Sequence, residues 1–314
     1  MNILITGGAG FIGSHVVDRL CSDNNVVVID NLSNGSRKNL PKNCKFYKND
    51  ITDNKVGTIF KNNKIDIVIH CAANVFLQKS IDNPIEDAKT NILGSLRILE
   101  NCVKHDVKKI IYTNSGGAGS GNPKYFPIDE NHPIDPLAHY GVSKHTVEHY
   151  LEVYRKIYGL KYTSLRLSNV YGPRQNPKGE GGVIAIFVYY LLNGKKPPIY
   201  GNGEQTRDFV FVNDVVDSIT ASMKKGDGDF LNISTAKEVS INSLFELVKK
   251  CTNSKLTAEK LPSRPGDIKR SVLSNKKAQK ILGWSPKTSL DQGIKKTVEW
   301  YIALPRNKQD TIPC

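Results

Sequence analysis

The chain has 314 residues, of which 39% are hydrophobic and 24% are charged, as is typical of a globular protein. Lys and Arg number 44 and Asp and Glu 30, which gives a net charge of +14, but the basic residues are scattered along the chain. This distribution favours a solvated lysine-rich surface over a basic stripe, so we expect neither a nucleic-acid partner nor a membrane partner.

The six cysteines follow neither CxxC nor His-paired metal spacing. We therefore expect buried free thiols in a reducing compartment and no metal site. No secretory signal precedes the first predicted strand, and the longest apolar run, residues 183–192, is about half a membrane span. These features together predict a cytoplasmic protein.

The first predicted strand and helix are joined by glycines. Residues 2–6, NILIT, form an apolar run suited to a buried parallel strand, and apolar residues recur at helical spacing from Phe11 onward. Gly7, Gly10 and Gly13 lie between and within these elements. Glycine permits a tight turn and lets the backbone approach a pyrophosphate, which then rests on the amide groups at the helix N-terminus. The spacing predicts a dinucleotide phosphate site.

Asp30 ends the second predicted strand, residues 25–30. It follows the glycines by about 20 residues, where a carboxylate can accept hydrogen bonds from the adenosine ribose hydroxyls. Its charge also disfavours a 2′-phosphate, so we predict NAD rather than NADP as the cofactor. Arg37 and Lys38 nearby weaken that preference.

The next predicted strands alternate with amphipathic helices. The strands are residues 44–48, 66–72, 107–113 and 161–167, and the clearest helices are 91–105 and 137–159. Such alternation indicates βαβ units with right-handed crossovers. We therefore predict an α/β fold with a Rossmann-type, doubly wound parallel sheet.

A group of polar residues near the carboxyl ends of these strands carries chemistry. Tyr140 and Lys144 are four residues apart on a predicted helix and share one face. An ammonium beside a phenol favours the phenolate, so the lysine would bring the tyrosine pKa toward the range of a general base. Ser115 follows a strand at the sheet edge where such folds bind ligands. The three residues predict an active site.

After residue 172 the regular alternation ends, and Pro, Gly and Lys become frequent. We predict a NAD-binding domain at residues 1–172 and a smaller α/β substrate domain at residues 173–314. Segment 207–236 is predicted to return to the first domain. A ligand pocket commonly lies where two domains join.

These features resemble the extended short-chain dehydrogenases/reductases, and within that family the UDP-glucose 4-epimerase-like nucleotide-sugar enzymes. The resemblance covers nearly the whole chain. It is carried by the segments TGGAGFIGSH, VIDNLSNG, NDITD, HCAA, SGGA, YGVSK, RLSNVYGPRQ, GNGEQTRDFVFVNDV, RPGD and LGWSP.

The resemblance implies roles for individual residues. Ser115, Tyr140 and Lys144 match the family's catalytic triad, and Asn91 matches a fourth member of the site. Cofactor contacts beyond the glycines and Asp30 are implied for Phe11, Ile12, Asn31, Asp50, Ile51, Ala72 and Ala73, in addition to Tyr140 and Lys144. Contacts to the nucleotide sugar are implied for Ser115, Asn169, Arg207, Arg264 and Ser271, with the two arginines on its diphosphate.

The implied reaction is NAD-dependent 4-epimerisation of a UDP-hexose through a 4-keto sugar, with no net redox change. Tyr140 would remove the proton of the 4-hydroxyl, Ser115 would hydrogen-bond the same oxygen, and NAD would remain bound. The 4,6-dehydratases of this family carry an Asp-Glu pair just after the catalytic Thr, and Gly116 and Gly117 stand in that place here.

Two departures from the family pattern leave the preferred hexose open. Gly119 and Ser120 replace a Val-Tyr pair beside the predicted active site, a change expected to loosen and reshape the hexose pocket. Ser271 stands where a bulky residue in some relatives excludes an N-acetyl group, so UDP-N-acetylhexosamines are further candidates.

Other functions stay open at this point. One is a different nucleotide-sugar epimerase of the same family, for example one that acts on the uronic forms. A nucleotide-sugar dehydrogenase or reductase would consume added cofactor, and a non-catalytic NAD-binding sensor would show no turnover. The resemblance also implies a homodimer formed through amphipathic helices, although a sequence cannot separate such a face from core packing.

Overall fold

A computed structural model of the chain describes residues 1–177, 182–263 and 268–304. Within these residues the strands are β1 (Asn2–Thr6), β2 (Asn25–Asp30), β3 (Lys45–Lys48), β4 (Ile67–His70), β5 (Lys109–Ser115), β6 (Lys161–Leu167), β7 (Asn169–Tyr171), β8 (Pro198–Tyr200), β9 (Thr206–Arg207), β10 (Phe209–Phe211), β11 (Asp229–Ile233), β12 (Val239–Ser240), β13 (Glu259–Leu261) and β14 (Arg270–Ser271).

The α-helices of the same described residues are α1 (Phe11–Leu20), α2 (Val56–Asn63), α3 (Leu77–Asp82), α4 (Pro84–Ala88), α5 (Ser95–Lys104), α6 (Gly116–Ser120), α7 (His139–Tyr158), α8 (Val183–Leu192), α9 (Val212–Ser222), α10 (Ile241–Cys251), α11 (Lys276–Leu282) and α12 (Leu290–Ala303). A 3₁₀ turn spans Arg37–Asn39, and a π-helical turn, Lys89–Gly94, leads into α5.

Seven parallel strands form the main sheet, in the order β11-β6-β5-β4-β1-β2-β3. The order reverses at β1, which is the hallmark of a doubly wound sheet. The predicted α/β fold with a Rossmann-type sheet is confirmed. All seven strands end at the same edge, and β1 places Thr6 opposite both Ile29 and His70 in the neighbouring strands.

Helices cover both faces of the sheet, because the strands are apolar on both sides. One face packs against α1 and α9, where Val16 and Ile219 are fully buried. The other face packs against α2, α5 and α7, where Val147 and Leu151 lie four residues apart and are both buried. This second face holds the helix predicted to carry the catalytic Tyr and Lys.

Another hydrophobic core forms in the second half of the chain, between α8, α10 and α12. Small sheets border it: β10 pairs with β7, β9 lies between β12 and β14, and β13 pairs with β8. The chain returns to the main sheet in β11, beside β6. The limits of the two domains stay a prediction. In the part of the chain that the structure describes, no helix combines the length and the apolar character needed to cross a membrane.

Candidate active site

The glycine turn between β1 and α1 is shaped so that larger residues would not fit. Gly7 has a φ of +68°, and a Cβ added there would lie 2.7 Å from the backbone nitrogen of Ala72. A Cβ on Gly13 would lie 2.8 Å from the Cα of Gly8, and Gly10 is the N-terminal cap of α1. The absence of side chains leaves a backbone cradle at a helix N-terminus, which suits a pyrophosphate.

Asp30 closes the same turn from β2. Its carboxylate accepts hydrogen bonds from Ala9 N at 2.9 Å and from Leu32 N at 2.8 Å, so it is fixed at the end of its strand. Burial raises the pKa of Asp30, and the hydrogen bonds from backbone amides oppose that shift. Arg37 packs over the Phe46 ring, 5.2 Å from its centre. The cradle and the placed carboxylate together fit a dinucleotide.

The predicted adenine-side residues form a connected group. Asn31 Nδ2 donates to Asp50 Oδ2 at 2.7 Å, and Asp50 Oδ1 accepts from Thr52 N and Oγ1 at 2.8 and 2.7 Å. Burial alone would raise the pKa of Asp50, but the hydrogen bonds from Thr52 and Asn31 outweigh it and lower the pKa. Ile51 is buried beside Gly94, where a Cβ would be 2.7 Å from its Cδ1. These contacts preorganise this side of the site.

Phe11 and Ile12, also predicted to contact the cofactor, lie in the first turn of α1 and are half buried. Ala72 and Ala73 follow β4, where Ala72 N donates to Thr6 Oγ1 at 3.3 Å. Because Ala72 lies against the Gly7 position, the structure brings this segment directly beside the glycine turn.

Ser115 is the last residue of β5 and the N-terminal cap of α6. Its Oγ accepts from Ala118 N at 3.3 Å, and its backbone N donates to Asn114 Oδ1 at 2.7 Å. The short helix α6 packs against the start of α7, since a Cβ on Gly141 would lie 3.1 Å from the carbonyl carbon of Ala118. Gly141 follows Tyr140, so the predicted serine and tyrosine lie in two elements that are in contact.

Tyr140 and Lys144 are one turn apart on α7. The backbone N of Tyr140 donates to Ser80 Oγ at 3.1 Å, which fixes the first turn of α7 on α3. Lys144 is 4% exposed, and its Nζ lies 4.1 Å from the centre of the Tyr112 ring. Burial lowers the pKa of Lys144 to about 7, and the negative charge of Glu148 opposes the shift.

Asn91 lies in the π-helical turn, which the predicted regular helix over residues 91–105 did not anticipate. Its Nδ2 donates to Asn74 O at 3.0 Å and to Asp87 Oδ1 at 2.9 Å, and its Oδ1 accepts from Asn74 N at 2.8 Å. Asp87 Oδ2 in turn accepts from Ser143 Oγ at 2.6 Å, beside Lys144. The side chain of Asn91 therefore ties the segment after β4 to α7.

The predicted substrate residues fall in two groups. Arg207 and Ser271 are register partners in the β9–β14 pair. A Cβ on Gly117 would lie 3.4 Å from Ser271 Oγ, so Ser271 borders the turn that Ser115 caps. Arg207 Nη1 donates to Ile268 O at 2.6 Å. Asn169 begins β7 and is exposed, with its backbone N donating to Asp208 O at 3.0 Å. Arg264 lies outside the described residues.

A buried ion pair lies one helical turn beyond Lys144 on α7 and was not predicted. Glu148 accepts from Arg166 Nη2 at 2.7 Å and from Ser164 Oγ at 2.7 Å. Burial would raise the pKa of Glu148, but hydrogen bonds from His145 and Arg166 lower it to about 2. Glu148 is four residues beyond Lys144 on α7. This continuation of the Tyr140–Lys144 spacing was the signal available in the sequence.

The ion pair borders a small cavity of about 20 Å³, room for roughly one water molecule. Ser115, Gly119 and Ser120 all form part of its wall. The two residues that depart from the family pattern therefore line the same small cavity as the predicted catalytic serine.

With the fold and this geometry in place, comparison with known proteins defines the class. The chain belongs to the family described as GDP-mannose 4,6 dehydratase, which matches residues 4–297. A putative UDP-glucose 4-epimerase of Methanocaldococcus jannaschii is 44% identical over 95% of this chain and 97% of its own length. The predicted family of nucleotide-sugar epimerases and dehydratases is confirmed.

Three solved structures are similar over almost the whole chain. UDP-glucose 4-epimerase of Thermotoga maritima with UDP-glucose is 46% identical, with a TM-score of 0.95 over 96% of this chain and 99% of that one. The Thermus thermophilus enzyme with NAD is 37% identical, with a TM-score of 0.93 over 97% and 100%. A UDP-N-acetylglucosamine 4-epimerase of Methanobrevibacter ruminantium is 35% identical, with a TM-score of 0.92 over 96% and 98%.

Proposed function

We propose that the chain is an NAD-dependent epimerase that inverts C4 of a UDP-hexose and so interconverts UDP-glucose and UDP-galactose. The observation that carries the proposal is the contact between α6 and α7, which brings the turn capped by Ser115 against the turn that holds Tyr140. The resemblance to UDP-glucose 4-epimerases over the whole chain supports the same chemistry.

NAD fits the cradle formed by Gly7, Gly10 and Gly13, with Asp30 placed for the adenosine ribose. When bound there it would supply the hydride acceptor for oxidation at C4 and the hydride donor for the reduction that follows. The ammonium of Lys144 is buried against Tyr112, and the role proposed for it is to donate to a ribose hydroxyl of the cofactor.

The protein residues handle the proton of the 4-hydroxyl. Tyr140 removes it as C4 is oxidised and gives it back when the 4-keto sugar is reduced. Ser115 donates a hydrogen bond to the same oxygen, for which its position at the end of β5 is suited. The charge of Lys144, one turn along α7, stabilises the phenolate form of Tyr140.

Epimerisation is favoured over dehydration by the residues after Ser115. A 4,6-dehydratase needs carboxyl groups there to move protons at C5 and C6. A Cβ on Gly116 would lie 3.3 Å from Leu273 Cδ2 and 3.4 Å from Arg166 O, with Leu273 Cδ1 closer still. A carboxylate side chain would therefore require these neighbours to move.

The hexose itself is the finer part of the proposal. Ser271 is small and borders the turn of Ser115, which supports acceptance of UDP-N-acetylhexosamines alongside the plain hexoses. A related solved structure is a UDP-N-acetylglucosamine 4-epimerase.

We also propose a homodimer. Exposed apolar side chains follow one another along α7 at Val142, Tyr150, Val153 and Ile157. A soluble monomer seldom leaves such a stripe in water, and the second copy would cover it. Size-exclusion chromatography with light scattering measures the mass, and a single-chain mass would contradict the dimer. A cytoplasmic location is part of the same proposal.

The test of the activity is incubation of the purified protein with UDP-galactose and with UDP-N-acetylgalactosamine, without added cofactor, followed by chromatography of the products. We expect the gluco epimer from at least UDP-galactose. Tyr140→Phe should remove turnover while NAD affinity, measured by calorimetry, stays the same. In a parallel assay with NAD added, net consumption of the cofactor would instead identify a dehydrogenase or reductase. No product from either nucleotide sugar in either assay would favour a sensor.

A further inference from the structure

His70 is a buried titratable residue to which the reaction above gives no role. It ends β4, is 1% exposed, and lies opposite Thr6 in the β1–β4 pair. Its Nδ1 is 2.6 Å from Thr6 Oγ1, and its Nε2 is 2.9 Å from Ser95 Oγ, at the start of α5. Its ring packs against Tyr112, with 5.6 Å between ring centres. Both ring nitrogens are thus hydrogen-bonded to hydroxyl groups.

The neighbours of the two hydroxyls fix where the protons lie. Ser95 Oγ donates its proton to Asn91 O at 2.6 Å, so toward His70 it can only accept. Nε2 of His70 therefore carries a proton. Thr6 Oγ1 accepts from Ala72 N, which leaves its own proton free to be donated to Nδ1 of His70.

The result is a directed chain of hydrogen bonds that runs from Ala72 through Thr6, His70 and Ser95 to Asn91. Each group in it donates to the next, which requires a neutral imidazole protonated at Nε2. A second proton on the ring would turn Nδ1 into a donor and would leave the hydroxyl proton of Thr6 without this acceptor. Burial, with the charge of Lys144, also lowers the pKa of His70 to about 3.

The residues at the two ends of this chain of hydrogen bonds hold the same segment of backbone. Ala72 N is held by Thr6, and Asn74 is held two residues later by the side chain of Asn91, through both its backbone N and its O. This segment lies beside Gly7 and follows β4 directly. The backbone O of His70 also accepts from Thr113 Oγ1 at 3.1 Å, two residues before Ser115.

We propose that His70 is a positioning residue, whose neutral imidazole couples Thr6 to the Ser95–Asn91 turn and thereby fixes segment 72–74 over the glycine turn. The segment forms one wall of the cofactor site, so its placement sets how the bound nicotinamide meets the sugar. The kinetic consequence rests on the proposed function, whereas the proton assignment and the effect on NAD affinity do not.

The first experiment observes the wild-type protein directly. Nitrogen-15 NMR of ring-labelled histidine distinguishes the two neutral tautomers and the imidazolium, and His70→Gln identifies the His70 signals among those of the seven histidines. We expect Nε2 protonated and Nδ1 unprotonated at every pH from roughly 5 to 9, since the pKa lies near 3. A ring protonated at Nδ1, or one that titrates in this range, would overturn the proposal.

The second experiment breaks the chain of hydrogen bonds on one side of His70 at a time. A Gln at this position can retain a donor toward Ser95, and an Asn can retain an acceptor toward Thr6, so each of His70→Gln and His70→Asn keeps one link. We expect both variants to weaken NAD binding and to lower kcat by about 10- to 100-fold, with KM for UDP-galactose within about twofold of wild type.

The matched control is His105→Gln. His105 stacks on Phe60, with 6.0 Å between ring centres, at the far end of α5. It should change stability without changing NAD affinity or kcat. Unchanged NAD affinity in both His70 variants would overturn the positioning role, even if the wild-type enzyme proved not to be an epimerase. Absence of epimerisation by the wild type, with the expected tautomer and affinity losses, would instead contradict only the proposed reaction.

Discussion

The ammonium of Lys144 lies 4.1 Å from the centre of the Tyr112 ring and is almost entirely withdrawn from water. The ring face attracts the cation, but it does not replace a full hydration shell. Burial accordingly lowers the pKa of Lys144 from 10.5 to about 7. The chain therefore carries an unfavourable buried charge at a position where the proposed reaction uses it.

This burial predicts a pH-dependent stability that depends on Lys144. Between its folded pKa near 7 and its unfolded pKa near 10.5, the unfolded chain binds the proton and the folded chain does not. The free energy of unfolding of wild type relative to Lys144→Met should therefore rise by about 1.4 kcal/mol per pH unit in that window. Below the window the difference is constant, and the variant is the more stable protein.

Urea denaturation of the nucleotide-free proteins at several pH values measures this difference. Lys104→Met, at the exposed end of α5, is the control and should give a flat difference curve. The same flat curve for Lys144→Met would contradict a lowered pKa. Turnover should be lost in Lys144→Met despite its greater stability.

Asp30→Asn should weaken NAD binding by about 10- to 100-fold, because a hydrogen bond to a charged group is worth about 1.5–3 kcal/mol. The two oxygens of the Asp30 carboxylate accept from Ala9 N and Leu32 N, one each. The side-chain amide of the variant has only one oxygen, so it can keep only one of these hydrogen bonds in this geometry. The loss of charge should also reduce the preference for NAD over NADP. Calorimetric titration with both nucleotides measures the two effects, with Asp23→Asn on the surface as control. An unchanged NAD/NADP ratio would show that Asp30 does not set cofactor choice.

Replacement of two glycines of α6 by alanine should change the stability of the fold in opposite directions. A Cβ on Gly119 would have Ile134 Cδ1 as its nearest neighbour, at 3.8 Å, so Gly119→Ala should stabilise the fold by about 0.4–1 kcal/mol. A Cβ on Gly116 would collide with Leu273, so Gly116→Ala should destabilise it by about 1–3 kcal/mol. Denaturant unfolding gives both values. Equal changes in the free energy of unfolding would mean that the turn can shift to accept a Cβ at Gly116, so that the close contact with Leu273 does not destabilise the variant.

Ser271→Tyr should discriminate between substrates. A large side chain in this β9–β14 register position would fill the space beside Gly117 and Ser115. We expect kcat/KM for UDP-N-acetylgalactosamine to fall at least about 10-fold more than for UDP-galactose, which corresponds to about 1.4 kcal/mol of transition-state binding. Ser271→Ala should leave the ratio within about twofold. If Ser271→Tyr lowers kcat/KM equally for both substrates, the residue does not discriminate between a hydroxyl and an N-acetyl group on the sugar.

Local patterns in the sequence were enough to predict the sheet and one side of the site. Apolar runs, the spacing of Gly7, Gly10 and Gly13, and the position of Asp30 each depend on residues that are near one another along the chain. The shared helix face of Tyr140 and Lys144 could be predicted for the same reason, since helical geometry fixes which residues lie on one face.

The remaining parts of the site depend on contacts that no local pattern encodes. Thr6 and His70 are 64 residues apart, and they meet because β4 lies beside β1 in the sheet. Asn91, in the π-helical turn, is hydrogen-bonded to Asn74, 17 residues earlier, and periodicity alone predicted a regular helix there. The spacing of Glu148 from Lys144 was visible in the sequence, but its pairing with Arg166 was missed because the two residues belong to different elements.

The place of β11 in the sheet also bears on how the protein can be made. Leu231 and Ile233 are fully buried in this strand, and it pairs along the length of β6. A nascent chain that has emerged from the ribosome only as far as residue 172 would hold β6 as an unpaired edge, open to pairing with another chain. The main sheet is therefore completed only by residues synthesised about 60 positions later, and an isolated fragment that ends at residue 172 is expected to express poorly because it lacks this strand.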